Sequence, residues 1–132
     1  MPGETSLSIL LKTITPEQNT GVFVFCTVPR HFNIASLDII GSFREKEGLT
    51  LILEKGVADQ HNLSYQFEAA WISLTVHSSL EAVGLTASVA QALAGEGISC
   101  NVVAAFYHDH LFVPVNEVGK AMETLRKLSV SF

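Results

Sequence analysis

The sequence predicts an α+β fold in which strands and helices alternate, and three observations support that prediction. Residues Trp71 to Val76 alternate between apolar and polar side chains, as a strand with one covered face does. Between residues 85 and 95 apolar side chains recur every four positions, which indicates an amphipathic helix. The alternating segment Ile98 to Phe106 and the apolar segment Leu111 to Val113 flank a polar turn, which is typical of a hairpin.

A strand, a helix and a hairpin in this order make half of a ferredoxin-like βαββαβ unit. The run VGLTASVAQALAGEGISCNVV, residues 83 to 103, resembles the signature of the ACT domain family. In that family a strand, a short Gly-containing loop and an amphipathic helix are followed by "GI" and a second strand. The longer segment from Leu74 to Pro114 resembles small bacterial proteins with two ACT domains in tandem. The resemblance implies two ferredoxin-like units and a regulatory role that depends on a bound small molecule.

The length of 132 residues fits one ordinary domain or two very small units that share a core. With the resemblance, it leads us to expect a degenerate N-terminal ACT-like unit over residues 1–67 and a C-terminal ACT domain over residues 68–132. No stretch rich in Gly, Ser or Pro marks this boundary. We therefore expect the two units to share one sheet or to pack tightly.

The N-terminal half predicts a strand-rich unit with short helices. Residues Ser6 to Ile14 are interpreted as a strand, and Thr15 followed by Pro16 resembles the start of a short helix. The elements predicted next are a buried strand over residues 22–28, a hairpin over residues 38–54 with its turn at 46–48, a two-turn helix over 55–63 and an extended segment over 64–70. Gly48 can supply the positive φ that a hairpin turn needs.

A second amphipathic helix is predicted after Pro114, with Asn116 as its N-cap. Glu117 in its first turn and Lys127 in its last turn complement the helix dipole. The residues from Ser129 to Phe132 leave only a short segment for a fourth strand of the C-terminal unit. The pattern therefore leaves the existence of that strand open.

Composition and charge argue against several classes of partner. The formal net charge is −5, the pI is near 5.4 and no cluster of Lys or Arg occurs, so binding to nucleic acid or to an anionic membrane is not expected. Only 16% of the residues are charged, against about 25% in a typical globular protein. We therefore expect a homodimer that covers part of the surface, with a merely charge-poor surface as the alternative.

Targeting signals are not expected, because no apolar stretch has the length of a signal peptide or of a membrane span. A cytoplasmic location is the resulting prediction. Cys26 and Cys100 lie in apolar, strand-like runs, which favours buried thiols over a disulfide or a metal pair.

The first candidate site is the loop after the Trp71 strand, together with the start of the helix that follows it. A helix start presents unpaired N–H groups and a partial positive charge, which suit a carboxylate or a phosphate. In ACT domains this loop commonly binds effector amino acids, so the resemblance implies the same here. The residues expected to bind are His77, Ser78, Ser79, Val83, Gly84, Leu85 and Thr86. The alternative is an ordinary connection in which a hydroxyl, such as that of Thr86, caps the helix.

The second candidate site is the turn Tyr107, His108, Asp109 and His110. On an extended chain the two imidazoles would face the same way and could share a metal with Asp109. Structural metal sites normally show four ligands, however, and Asp and His also suit a solvated turn. We therefore predict no metal site and expect these four residues to contact the ligand or a second subunit.

Catalytic motifs are absent from the sequence. It has no G-x-S-x-G elbow, no phosphate-binding glycine loop, no H-E-x-x-H and no Cys-x-x-Cys. We predict no catalytic residues, no cofactor and no enzymatic activity. The prediction is a non-catalytic regulatory protein of the ACT type that binds a small-molecule effector, most plausibly an amino acid, in a crevice between the units. The alternative is an interaction module that assembles subunits without any ligand.

Overall fold

The computed structural model describes residues 6–75 and 84–130. The elements are, in chain order, α1 Leu7–Thr13, β1 Pro16–Val28, β2 Ile39–Arg44, β3 Leu49–Glu54, α2 Lys55–Gln60, β4 Glu68–Leu74, α3 Leu85–Gly95, β5 Asn101–Ala104, β6 Asp109–Pro114, a 3-10 turn Val115–Glu117 and α4 Val118–Val130. They form two compact units: the first combines Met1–Thr20 with Ala70–Phe132, and the second is Gly21–Ala69. The sequence boundary between residues 67 and 68 stays a prediction.

The first unit is a sheet covered on one face by α1, α3 and α4. Its strands follow the order β1, β4, β6, β5, which is the order of a ferredoxin-like unit. The side chains between sheet and helices form its core: Leu11, Ile14, Ala70, Ile72, Leu74, Leu85, Val89, Leu93, Ile98, Leu111, Val113, Ala121, Met122 and Leu125. The predicted strand, helix and hairpin of this unit are confirmed, with β5 shorter than expected.

The fourth strand of the first unit comes from the beginning of the chain. The first residues of β1 lie beside β4, where Thr75 donates from both its backbone N and its Oγ1 to the carbonyl of Thr15 at 2.9 Å. At the other end of the chain α4 continues to Val130. The strand that the sequence left open at residues 129–132 is therefore not formed within the described residues. Asn116 lies inside the 3-10 turn and is not the N-cap that the sequence had predicted.

Two predictions for the N-terminal segment are wrong. Residues Leu7–Thr13 form a helix and not a strand, because Leu7, Leu11 and Ile14 recur at helical spacing and pack into the core with α3 and α4. Thr15 and Pro16 begin strand β1 and not a helix, because the pairing with β4 decides the backbone conformation there. Seven apolar-rich residues are too few for periodicity to separate the two structures.

The second unit contains the strand order β2, β3, β1 with helix α2. Its core is made of Val24, Cys26, Val28, Leu37, Leu49, Leu51, Leu53 and Ala58. The predicted hairpin and the helix after it are confirmed, and residues 29–38 form turns where a complete ACT-like unit would have a helix. None of the helices in residues 6–75 and 84–130 has both the length and the apolar composition needed to cross a membrane.

The hairpin turn needs Gly48 for a different reason from the predicted one. Its backbone does not have positive φ; of the described glycines, Gly21, Gly84 and Gly97 do. A Cβ on Gly48 would lie 2.7 Å from the carbonyl oxygen of Val28 and 2.9 Å from Oγ1 of Thr27. Close approach of the neighbouring strand therefore requires a glycine here.

Candidate functional site

Helix α3 begins at a glycine N-cap. Its N-cap residue is Gly84, in the left-handed conformation with φ of 95°, and this residue has no side chain that could accept a hydrogen bond from the first turn. The first intrahelical bond runs from the N of Ser88 to the carbonyl of Gly84 at 2.9 Å. Thr86 lies inside the helix, so the prediction that it caps the helix is wrong. The first N–H groups of a helix have no intrahelical partner and suit an acceptor outside the helix.

Only part of the predicted loop can be located. Gly84, Leu85 and Thr86 belong to the start of α3, where Leu85 is buried in the core and Thr86 is exposed. His77, Ser78, Ser79 and Val83 lie outside the described residues, so their place in the site stays a prediction.

Strand β4 ends, and strand β6 begins, at the same end of the strands of the sheet. Oγ of Ser73 is 3.1 Å from Nδ1 of His110, and the ring of Trp71 stacks on Phe112 with centroids 6.2 Å apart. Ser73 lies beside His110, and the earlier residue Trp71 lies beside the later residue Phe112. The strands β4 and β6 are therefore antiparallel. The chain therefore leaves β4 towards α3 at the end of the strands where Asp109 begins β6.

Helix α3 runs away from that end of the strands. Beyond its C-terminus the chain enters β5 at Asn101, which pairs with Phe112, whereas the end of β5 at Ala104 pairs with Asp109. The helix therefore ends near the opposite end of the strands. Its start at Gly84 lies at the same end of the strands as Asp109, and Gly97 in the left-handed conformation follows its end.

Asp109 is a buried acid on the apolar face of the sheet. It shares that face with Leu111 and Val113, which belong to the core beneath the helices, and it is only 7% exposed. Its side chain forms no hydrogen bond or ion pair within the described part of the chain. Burial raises the pKa of this carboxyl above its ordinary value, and the nearby His110 and His108 oppose that shift. A buried carboxylate without a partner favours a cationic group beside it.

His108 ends the turn that precedes Asp109. The turn consists of residues 105–108, closed by a bond from the N of Ala105 to the carbonyl of His108 at 3.1 Å. Asp109 and His110 therefore belong to strand β6, and the prediction that they form the turn is wrong. Nδ1 of His108 is buried and has no hydrogen-bond partner among residues 6–75 and 84–130. Tyr107, on the same turn, is 65% exposed.

His110 belongs to a polar network on the other face of the sheet. Its Nδ1 accepts the indole Nε1–H of Trp71 at 3.0 Å, and Nδ2 of Asn19 donates to Oγ of Ser73 at 3.0 Å. Burial lowers the pKa of His110, as does the charge of His108, against the opposing effect of Asp109. The sequence analysis missed Asn19 and Ser73, because nothing in the pattern shows that they lie beside Trp71 and His110.

The metal alternative gains no support from this arrangement. Within residues 6–75 and 84–130 no group of three or more His, Cys, Asp or Glu side chains lies close enough together to hold a metal ion. The two thiols are free: Cys26 is buried and Cys100 is partly buried. Burial raises the pKa of both, in Cys100 to about 11, which disfavours a reactive thiolate.

Family models and solved structures agree with this architecture. The model of the ACT domain matches residues 2–70, and a second model of the ACT domain matches residues 66–127. None of the curated proteins matches the chain. A crystal structure from Vibrio cholerae, of a protein of unknown function described as a possible transport protein, is 46% identical and has a TM-score of 0.86 over 95% of this chain and 97% of that chain.

More distant structures share the fold alone. A protein from Agrobacterium tumefaciens is 21% identical, with a TM-score of 0.70 over 88% of this chain and 89% of its own. The aspartate kinase of Clostridium acetobutylicum, described as an allosteric enzyme, is 9% identical, with a TM-score of 0.67 over 87% of this chain and 34% of its own. ACT domains are regulatory and not catalytic, and they commonly bind small-molecule effectors. The predicted resemblance and fold class are confirmed: this chain is a member of the ACT domain family and carries two ACT domains in tandem.

Proposed function

We propose that this protein is a non-catalytic regulator that binds a free amino acid at the start of α3. The proposal is supported by two features at the same end of the strands: a helix start whose N-cap is a glycine, and a buried carboxyl that has no partner in the described part of the chain. The first feature suits the carboxylate of an amino acid, and the second suits its ammonium group.

Each end of the ligand would meet a group for which the described residues provide no side-chain partner. The backbone N–H groups at Leu85 and Thr86 would donate to the carboxylate, where the helix dipole adds a favourable charge interaction. Asp109 would accept from the ammonium group, and Nδ1 of His108 would form a further hydrogen bond. His77, Ser78, Ser79, Val83 and Tyr107 are proposed to complete the site.

Regulation would follow from the difference in affinity between two states of the protein. We further propose that the protein acts as a homodimer in the cytoplasm and signals through a separate partner. The low content of charged residues and the exposed aromatic rings of Phe106 and Tyr107, which are 71% and 65% exposed, support an interface near β5.

A second function has its own supporting observation. Phe43 on the edge strand β2 is 72% exposed, and Val103 on the edge strand β5 is 39% exposed. Exposed apolar side chains on edge strands favour pairing with another chain. An assembly module without a ligand would use these edges alone.

Thermal unfolding of the purified protein against each amino acid separates the two functions. A ligand at a hundred times its dissociation constant adds about 2.7 kcal/mol to the free energy of unfolding, which appears as a rise in Tm. The variant Asp109→Asn should abolish that rise, whereas Glu96→Gln, an exposed acid at the other end of α3, should preserve it. If no amino acid changes Tm while the protein remains a dimer by light scattering, the assembly function replaces the proposed one.

A further inference from the structure

The second unit contains a cavity that plays no part in the proposed amino acid site. Its volume is about 610 Å³, which is within the range of small-molecule sites. It is lined by residues 25–27 of β1, Thr50 of β3 and residues 64–67, which precede β4. All of these residues belong to the second unit and are described by the structure.

The cavity arises where β1 has a strand neighbour on one side only. The bond from Glu45 N to Gly48 O at 2.9 Å fixes the hydrogen-bonding phase of the hairpin. Hydrogen-bonded and non-hydrogen-bonded pairs alternate along an antiparallel hairpin. The backbone N–H and C=O of Leu51 therefore point away from β2 and towards β1, where Leu51 pairs with Cys26. The backbone groups of Thr27, the next residue, therefore point away from β3 and towards residues 64–67. Those residues are not part of a strand, because β4 begins only at Glu68, and a gap remains.

The lining combines aromatic faces with hydroxyl groups. Phe25 and Phe67 lie with their ring centroids 6.5 Å apart at an angle of 44°, and Tyr65 adds a third ring. Thr27 and Thr50 provide hydroxyls. Neither Lys nor Arg occurs among the eight lining residues, all of which lie in the described part of the chain. Nothing in the lining is suited to neutralise an anion.

Carboxylates surround this lining. Asp59 accepts a hydrogen bond from the hydroxyl of Tyr65 at 2.7 Å, and Glu45 accepts one from the hydroxyl of Thr50. Glu68 follows the lining segment and forms an ion pair with Lys55 at 3.1 Å. The hydrogen bond to Asp59, some burial and the charges of Asp59 and Glu68 raise the pKa of Tyr65 to about 12. Because Lys55 balances the charge of Glu68, the negative charge beside the cavity comes from Asp59 and Glu45.

We propose that this cavity binds a small organic cation, a primary amine attached to an apolar or aromatic body. The electron-rich faces of three aromatic rings attract a cation, and Asp59 provides the opposite charge next to one of them. The apolar body would pack against the rings of Phe25 and Phe67, and the ammonium group would lie beside the ring of Tyr65, near Asp59. The site differs in position and in ligand class from the amino acid site at α3, so either can exist without the other.

Isothermal titration of the full chain with three matched probes tests the proposal. The probes are 2-phenylethylamine, the neutral 2-phenylethanol and the anionic phenylacetate. We expect the amine to bind at one site per chain, the alcohol to bind about five-fold more weakly and phenylacetate not to bind. Absence of amine binding at millimolar concentration, or equal binding of phenylacetate, would overturn the proposal.

Variants assign the binding to this cavity. Asp59→Asn should weaken binding of the amine by about five-fold and leave binding of the alcohol unchanged. Asp38→Asn, which removes the same charge from an exposed position outside the lining, should change neither. Ser64→Phe should fill the cavity and abolish binding, with Thr27→Phe as the second choice if the first does not fold. Unchanged amine affinity in Asp59→Asn would refute the assignment.

Discussion

Nδ1 of His110 accepts the indole hydrogen of Trp71 across a distance of 3.0 Å, which requires the imidazole to be neutral at that nitrogen. The contact joins strands β4 and β6 on the face of the sheet opposite the helices. Trp71 is the single tryptophan of the chain, so its fluorescence reports on this contact during unfolding.

The stability of the protein should therefore fall on mild acidification. Burial lowers the pKa of His110 below its ordinary 6.5, so between the lowered value and 6.5 the unfolded chain binds more protons than the folded chain. The free energy of unfolding then rises with pH through this window and is fully recovered above 6.5. Urea unfolding followed by Trp71 fluorescence at a series of pH values measures the slope.

His110→Asn is the matched variant for this pH dependence. It removes the titrating group while keeping a polar side chain beside Ser73 and Trp71. The slope below pH 6.5 should decrease in the variant, and an unchanged slope would assign the titration to another histidine.

Asp109 should show the opposite dependence. Burial raises its pKa above the ordinary 3.8, so the folded chain binds more protons than the unfolded chain between 3.8 and the raised value. Its ionisation therefore lowers the free energy of unfolding as pH rises through that window. Asp109→Asn should be more stable than the natural chain at pH 7, and the difference should shrink on acidification. A less stable variant at pH 7 would mean that this carboxylate has a stabilising partner beyond those seen among the described residues.

Gly48 and Gly119 should respond in opposite ways to replacement by alanine. At Gly48 the new Cβ would meet the carbonyl of Val28 at 2.7 Å, and we expect a loss of about 1–3 kcal/mol in the free energy of unfolding. At Gly119, within α4, nothing lies within 4 Å of the new Cβ, and a gain of about 0.5–1 kcal/mol is expected. Urea unfolding of both variants measures the contrast; equal effects would mean that the tight hairpin packing is not maintained in solution.

Leu11 should matter far more than its neighbour Ile9. Leu11 is 1% exposed in the core beneath α1, so Leu11→Ala should cost about 2–5 kcal/mol. Ile9 is 48% exposed, and Ile9→Ala should change the free energy of unfolding by less than about 1 kcal/mol. Comparable losses at both positions would favour the strand that the sequence predicted for this segment.

Local patterns predicted the elements whose side chains repeat over enough residues. The alternation before and after α3 and the four-residue repeat within it were sufficient for β4, α3 and the hairpin of β5 and β6. The segment at α1 was too short for its period to be recognised. The sequence left open whether residues 129–132 form a fourth strand, and it did not show that the first residues of β1 lie beside β4, because pairing over more than 50 residues leaves no local signal.

The candidate site was predicted in composition more than in geometry. The sequence placed Asp109 and His110 together in a turn, whereas the strand directs one towards the helices and the other to the opposite face. The burial of Asp109 depends on where the turn ends, and a shift of two residues is beyond what turn composition can define. The open start of α3 depends on the backbone of Gly84, since Thr86 does not form the expected cap.

The placement of the first residues of β1 beside β4 bears on how this protein can be dissected. A fragment cut at residue 68 would begin with β4 and lose both its outermost strand and the helix α1 that covers the core. Such a truncation would leave β4 as an unpaired edge strand, which favours aggregation. The C-terminal half therefore depends on the first twenty residues to complete its unit, and an exchange of this unit between proteins would have to include both segments.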